Sequence, residues 1–143
     1  IVTGLIGWRC DDYPSGRPCS SDQFYALSDE KQMLQNVLNR QISSACEKMD
    51  STLLNNMVIA YEPVWAIGTN IIATSDMIEN AHNDIRKILD SNGLNGNGTS
   101  ILYGGSVNDQ NAAEIINIDD VDGFLIGGAS LDVYKFFTIY NEL

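Results

Sequence analysis

Two hydrophobic periods alternate along this chain, and the switches between them mark out four repeated units. Ile1 to Ile6 is a short apolar run ending at Gly7, which predicts a buried strand. From Asp29 the period becomes 3.6, with Met33, Leu34, Val37, Leu38, Gln41, Ile42, Ala45 and Met49 on one stripe and Ser28 or Asp29 placed to cap the start. Met57-Val58-Ile59-Ala60-Tyr61 is uninterrupted and apolar, as in a strand covered on both faces. Thr74 or Ser75 then opens a helix whose stripe is Met77, Ile78, Ala81, Ile85, Ile88 and Leu89, and which stops before Asn92-Gly93. Ser100 to Tyr103 predicts a third strand, followed by the turn Gly104-Gly105-Ser106 and a helix near Asp109 to Ile116. Val121 to Ile126 predicts a fourth strand, broken at Gly127-Gly128. Ser130 is placed to cap a last helix that turns Leu131, Tyr134, Phe137 and Tyr140 inward. Trp8 to Ser28, with Pro14, Gly16 and Pro18, has no stable period and reads as a long irregular segment.

The order is a strand followed by a helix, four times over. Parallel strands need helical crossovers, and right-handed crossovers put the helices outside the sheet. Such units fit an open doubly wound sheet or an arc of a closed barrel, and periodicity does not choose between them. In both, ligands sit beyond the carboxyl ends of the strands, where this chain places its glycines and polar residues.

At 143 residues the chain has room for one hydrophobic core, and 44% hydrophobic residues is a globular composition. Nineteen carboxylates against eight Lys and Arg give a net charge of -11, which disfavours nucleic acid and anionic membrane surfaces as partners. The acid is uneven: residues 1–72 hold eight carboxylates and five basic residues, residues 73–143 eleven and three. These read as solvated helix faces. Cys10, Cys19 and Cys46 form no metal-ligand spacing and read as ordinary reduced cysteines. Asn97-Gly98-Thr99 reads as a polar turn. No apolar run reaches the roughly 18–20 residues that span a bilayer. The chain starts at Ile1 without Met, inside a strand-like run, and is read as processed or incomplete.

Glu62 closes the second strand, with Pro63 fixing the backbone after it. A carboxylate at a dry sheet mouth has a raised pKa and suits a general base, and the plainer role is pairing with a loop N–H or an Arg. Gly104-Gly105-Ser106 and Gly127-Gly128 both join a strand to a helix, where backbone N–H groups can approach an anion. Neither matches a dinucleotide or P-loop pattern. Pro63-Val64-Trp65 reads as the hinge of a lid whose tip is Ala66-Ile67-Gly68-Thr69, or Trp65 simply packs in the core. His82 reads as a structural helix residue, and Asp119, Asp120 and Asp122 as loop and cap residues rather than metal ligands.

Ala60-Tyr61-Glu62-Pro63-Val64-Trp65-Ala66-Ile67-Gly68-Thr69, Tyr103-Gly104-Gly105-Ser106-Val107 and Asp122-Gly123-Phe124-Leu125-Ile126-Gly127-Gly128-Ala129-Ser130-Leu131 resemble the three signature segments of the triose-phosphate isomerase family, in family order and spacing. The likeness is convincing from about Val37 onward, and Ile1 to Gly7 is similar to the fifth barrel strand. It implies an α/β fold of the eightfold barrel family, here a partial barrel of about four βα units, with residues 1–143 as the C-terminal half (strands five to eight) and residues 8–35 as an atypical, insertion-like segment. It further implies interconversion of dihydroxyacetone phosphate and glyceraldehyde 3-phosphate by proton transfer, with Glu62 as base. Gly68, Ser106, Gly127 and Gly128 resemble the phosphate-gripping positions, and Leu125 an apolar wall. Pro63, Val64, Trp65, Ala66, Ile67 and Thr69 resemble the lid, and Tyr103 a residue that receives it. The resemblance implies no cofactor or metal, a small phosphorylated triose as ligand, a cytoplasmic glycolytic and gluconeogenic setting, and a homodimer for the full-length parent. A noncatalytic phosphate-binding half-barrel, or a divergent sugar-phosphate-binding relative, is the alternative.

Three departures stand out. The family's Glu at the end of strand five is Trp8 here, and the lid ends Gly68-Thr69-Asn70-Ile71 where the family commonly has Gly-Thr-Gly-Lys. The family's strand-one Asn and Lys and strand-four His have no counterpart, and His82 does not stand in for that imidazole. The isolated chain is accordingly expected to be inactive.

Overall fold

A computed structural model of the chain describes residues 2–6, 28–47, 49–63, 66 and 72–143. Four parallel strands, β1 (Val2–Ile6), β2 (Val58–Tyr61), β3 (Ser100–Tyr103) and β4 (Gly123–Phe124), form one sheet in the order of the sequence. The helices are α1 (Ser28–Cys46), α2 (Ser51–Leu54), α3 (Ser75–Ser91), α4 (Ala112–Ile116) and α5 (Val133–Tyr140), with a 3-10 turn at Gly128–Leu131.

The helical stripes do the packing predicted of them. Leu34, Val37, Leu38 and Ile42 of α1, and Met77, Ile78, Ala81, Ile85 and Leu89 of α3, are buried in one cluster with Ile59, Tyr61, Ile101 and Tyr103 of the sheet. Thr74 caps α3, its hydroxyl accepting from Met77 N at 3.3 Å. The helix stops at Ser91, and Gly93 follows with φ +77°, the left-handed geometry that glycine adopts freely. Polar bridges tie α1 to α3: Gln35 Nε2 donates to Asp84 Oδ2 (3.0 Å) and Ser43 Oγ to Asn92 Oδ1 (3.0 Å).

Several predicted boundaries move, each for a local reason. The helix expected near Asp109 begins at Ala112. Asn108 Oδ1 accepts from the N–H groups of Gln110 and Asn111, while Asn111 Oδ1 accepts from Asn108 N, so side chains hold this stretch as a turn. The fourth strand shortens to Gly123–Phe124, since Gly123 has φ +156° and the glycine pair follows closely. Asp50 caps the unforeseen α2, accepting from Leu53 N at 2.9 Å. Ser130 does not cap α5: its hydroxyl donates to Gly127 O (2.7 Å), and the Asp132 carboxylate accepts from Tyr134 N and Lys135 N instead. On α5 it is Ile139 that is buried, and Leu131, Tyr134, Phe137 and Tyr140 are 91%, 83%, 60% and 63% exposed. Trp8 to Leu27 lies outside the described residues, and residues 28–35 of the segment read as insertion-like belong to α1.

His82 is fully buried on α3, edge-on to Tyr61 with ring centroids 5.7 Å apart. Its Nδ1–H donates to the Asp120 carbonyl at 3.0 Å. Beside it the Arg86 guanidinium, 9% exposed, bonds the carboxylates of Asp120 (2.6 Å) and Asp122 (2.9 Å) and the carbonyls of Gly96, Thr99 and Asp120. Asp122 Oδ2 also accepts from Ile101 N (2.7 Å), so the cluster clamps the start of β3 to α3.

Burial lowers the His82 pKa to about 4, with the Asp120 carbonyl pulling upward and the Arg86 charge downward. The unfolded chain therefore binds the proton first as pH falls below about 6.5, and stability drops until about pH 4. At pH 5 the loss from this group is about 2 kcal/mol. Urea unfolding at pH 7 and pH 5 will show a smaller acid loss in His82→Gln than in the unsubstituted chain.

Candidate functional site

The strand register decides which groups meet at the carboxyl end of the sheet. Tyr61 pairs with Tyr103, and Tyr103 with Phe124, so Glu62, Gly104 and Leu125 follow the last residues of adjacent strands. Two bonds carry the ladder past the strand ends: Gly104 N donates to Tyr61 O (2.8 Å) and Leu125 N to Tyr103 O (3.0 Å). Strand side chains alternate between faces. Tyr61 and Tyr103 point into the helix-covered core, and Glu62 takes the opposite face.

That face opens into a cavity of about 620 Å³ lined by Glu62, the Gly104-Gly105-Ser106 turn with Val107 and Asn108, and the Leu125 to Ala129 stretch. Leu131, Asp132 and Lys135 complete its wall. Glu62, Ser106, Leu125, Gly127 and Gly128, singled out from sequence, thus share one cavity. Gly68 lies outside the described residues, as do Val64, Trp65, Ile67 and Thr69 of the expected lid and the departures Asn70 and Ile71. Of the lid, Pro63 and Ala66 are described. Both are buried, and Ala66 N donates to Pro63 O at 2.8 Å. The Ser106 hydroxyl donates to Ala66 O at 2.5 Å, joining this segment to the third unit's turn. Asn111 Nδ2 donates to Ser106 O (2.9 Å) and fixes the turn from behind.

Burial raises the Glu62 pKa above the ordinary glutamate value. This makes the carboxylate a better proton acceptor at neutral pH. Burial also pushes the Tyr103 phenol up to about 12, opposed more weakly by the backbone of Ala73. His82 does not line the cavity; its bond to Asp120 and the neighbouring Arg86 clamp hold it in the cluster that fastens the start of β3.

Sequence reasoning missed Lys135 and Asp132 as wall residues. Their signal was present: Asp132 is an N-cap three residues before Lys135, and recognising it starts α5 at Val133 with Lys135 in the first turn over the cavity. Among the described residues no helix is long and apolar enough to cross a membrane.

The glycine at 104 is required by close approach. A Cβ built there would lie 2.6 Å from Glu62 Cγ, so any larger residue displaces the carboxylate. Gly104→Ala is expected to destabilise the protein by about 1–3 kcal/mol through overpacking. Thermal unfolding measures that loss, and a structure of the variant will show Glu62 moved from its position over the turn.

Comparison with known proteins places this arrangement. The family model described as triosephosphate isomerase matches residues 24–143. The chain is similar to the triosephosphate isomerase of Francisella tularensis subsp. novicida, 43% identical over 138 residues, covering 96% of this chain and 48% of that protein. It is also similar to that of Porphyromonas gingivalis, 50% identical over 105 residues, covering 72% of this chain and 42% of the relative. The crystal structure of triosephosphate isomerase from Bartonella henselae superposes with a TM-score of 0.71 at 31% identity, covering 96% of this chain and 48% of that one. The chain spans about half the length of the relatives it matches. The likeness is not that of a C-terminal half with four strands, convincing only from about Val37, as the motifs alone implied. The family match starts at residue 24, and relatives align over 137 and 138 residues, essentially the whole chain. Its fold is of the (β/α)8-barrel type, and the chain belongs to the triosephosphate isomerase family.

Proposed function

We propose that the protein interconverts dihydroxyacetone phosphate and glyceraldehyde 3-phosphate, with the Glu62 carboxylate carrying a proton between C1 and C2. The observation that carries this reading is the single cavity in which a desolvated Glu62 faces two glycine turns. A general base must be deprotonated yet basic enough to take a carbon-bound proton, and partial burial moves Glu62 in that direction. The N–H groups of Ser106, Gly127 and Gly128, with Gly68 in the lid, hold the phosphate, and the Ser106 hydroxyl joins the turn to the lid segment at Ala66 O. Leu125 walls the carbon chain. Anchoring the non-reacting end positions C1 near Glu62 and offsets closure of the lid at Pro63, Val64, Trp65, Ala66, Ile67 and Thr69 against Tyr103. The reaction calls for no cofactor in this reading, and the assembled enzyme is a homodimer. The four described strands are an arc of the barrel.

Proton removal also needs a donor for the oxygen that gains charge at the substrate carbonyl, and losing one such donor costs about 10²- to 10³-fold. Among the described residues no imidazole lines the cavity. That observation favours a second reading, a phosphate-binding relative without catalysis.

An isomerase assay separates the two. The 143 residues alone are expected to show no measurable turnover. Supplied with the part of a full-length relative that its alignment leaves uncovered, the chain should turn over both trioses, and Glu62→Gln should then lower kcat about 10³-fold. The acid limb of kcat/KM should fall at a pH above the ordinary glutamate pKa, in the direction of the Glu62 shift. A reconstituted barrel that binds phosphate but never isomerises would establish the second reading.

A further inference from the structure

The cavity holds an anion in the reading above, yet the molecule around it is strongly acidic. From Ile88 to Leu143 the sequence has eight carboxylates and one basic residue, Lys135. That residue lines the cavity with both glycine turns and is the sole cationic side chain among the described lining residues. The two carboxylates of the wall are differently placed. Asp132 is committed as the cap of α5, accepting from Tyr134 N and Lys135 N at 3.0 and 3.2 Å. Glu62 lies over Gly104. Lys135 makes no ion pair among the described residues, so its ammonium is available to a ligand.

Resting on the phosphate-site reading, we infer that Lys135 is the cation that draws the ligand's phosphate into the cavity and holds it against the Gly127-Gly128 turn. An anion approaching a chain of charge -11 meets repulsion at long range, and a cation at the mouth of a concave site reverses the local field. The contact is charge-assisted but solvent-accessible, so it acts on affinity and encounter more than on chemistry.

The test is titration of the full chain with inorganic phosphate at low and moderate ionic strength, read at the backbone amides of Ser106, Gly127 and Gly128. Lys135→Gln should weaken binding roughly three- to tenfold and flatten its salt dependence, and Lys135→Arg should restore binding to within about twofold. Lys87→Gln removes the same charge from α3, away from the cavity, and should leave binding unchanged. Equal binding by the Lys135→Gln and Lys87→Gln proteins, with the glycine amides still responding, would overturn the role of Lys135 alone. Absence of any amide response in the unsubstituted chain would remove the phosphate site itself, and this inference with it.

Discussion

Parallel register is the constraint on which this molecule depends. With Tyr61 opposite Tyr103 and Tyr103 opposite Phe124, three strands end level, and whatever follows each is delivered to the same rim. A slip of one residue would turn Glu62 into the helix-packed core and bring Tyr61 to the cavity. The hydrophobic alternation of Ile59 and Tyr61, and of Ile101 and Tyr103, forbids that slip because those side chains fill the space under α1 and α3. Core packing and the placement of a carboxylate are therefore one energetic decision.

The opposite end of the sheet is held differently. Arg86 is buried with five hydrogen bonds, four of them to Asp120, Asp122 and the carbonyl of Thr99. A buried guanidinium is costly to desolvate, and breaking such a group by removing one partner typically costs about 3–5 kcal/mol. Its value lies in geometry: through Asp122 and Ile101 it fixes where β3 begins. A polar, fully bonded end and an open, glycine-lined end divide the strands between anchoring and exposure.

Much of this was legible in the sequence. The stripes of α1 and α3 and the run Met57 to Tyr61 are long and strongly periodic, so they predict both elements and core. Glu62 and the two glycine turns stood out because charged or backbone-exposing residues directly after apolar runs have few structural reasons to be there. Periodicity failed where side chains act on the backbone. Asn108 and Asn111 bond each other's N–H groups and delay α4, and Asp132 rather than Ser130 caps α5, which starts at Val133. The Arg86 cluster was illegible for another reason: its members are separated by up to 36 positions, and no local pattern links them.

The proximity of Gly104 and Glu62 has an evolutionary consequence. The volume that a side chain at 104 would occupy belongs already to a residue 42 positions earlier, just past the end of β2. Drift at the two sites is coupled, because enlarging one is tolerable only after the other has shrunk or turned away. While residue 62 keeps a long carboxylate in its present place, position 104 has room only for glycine.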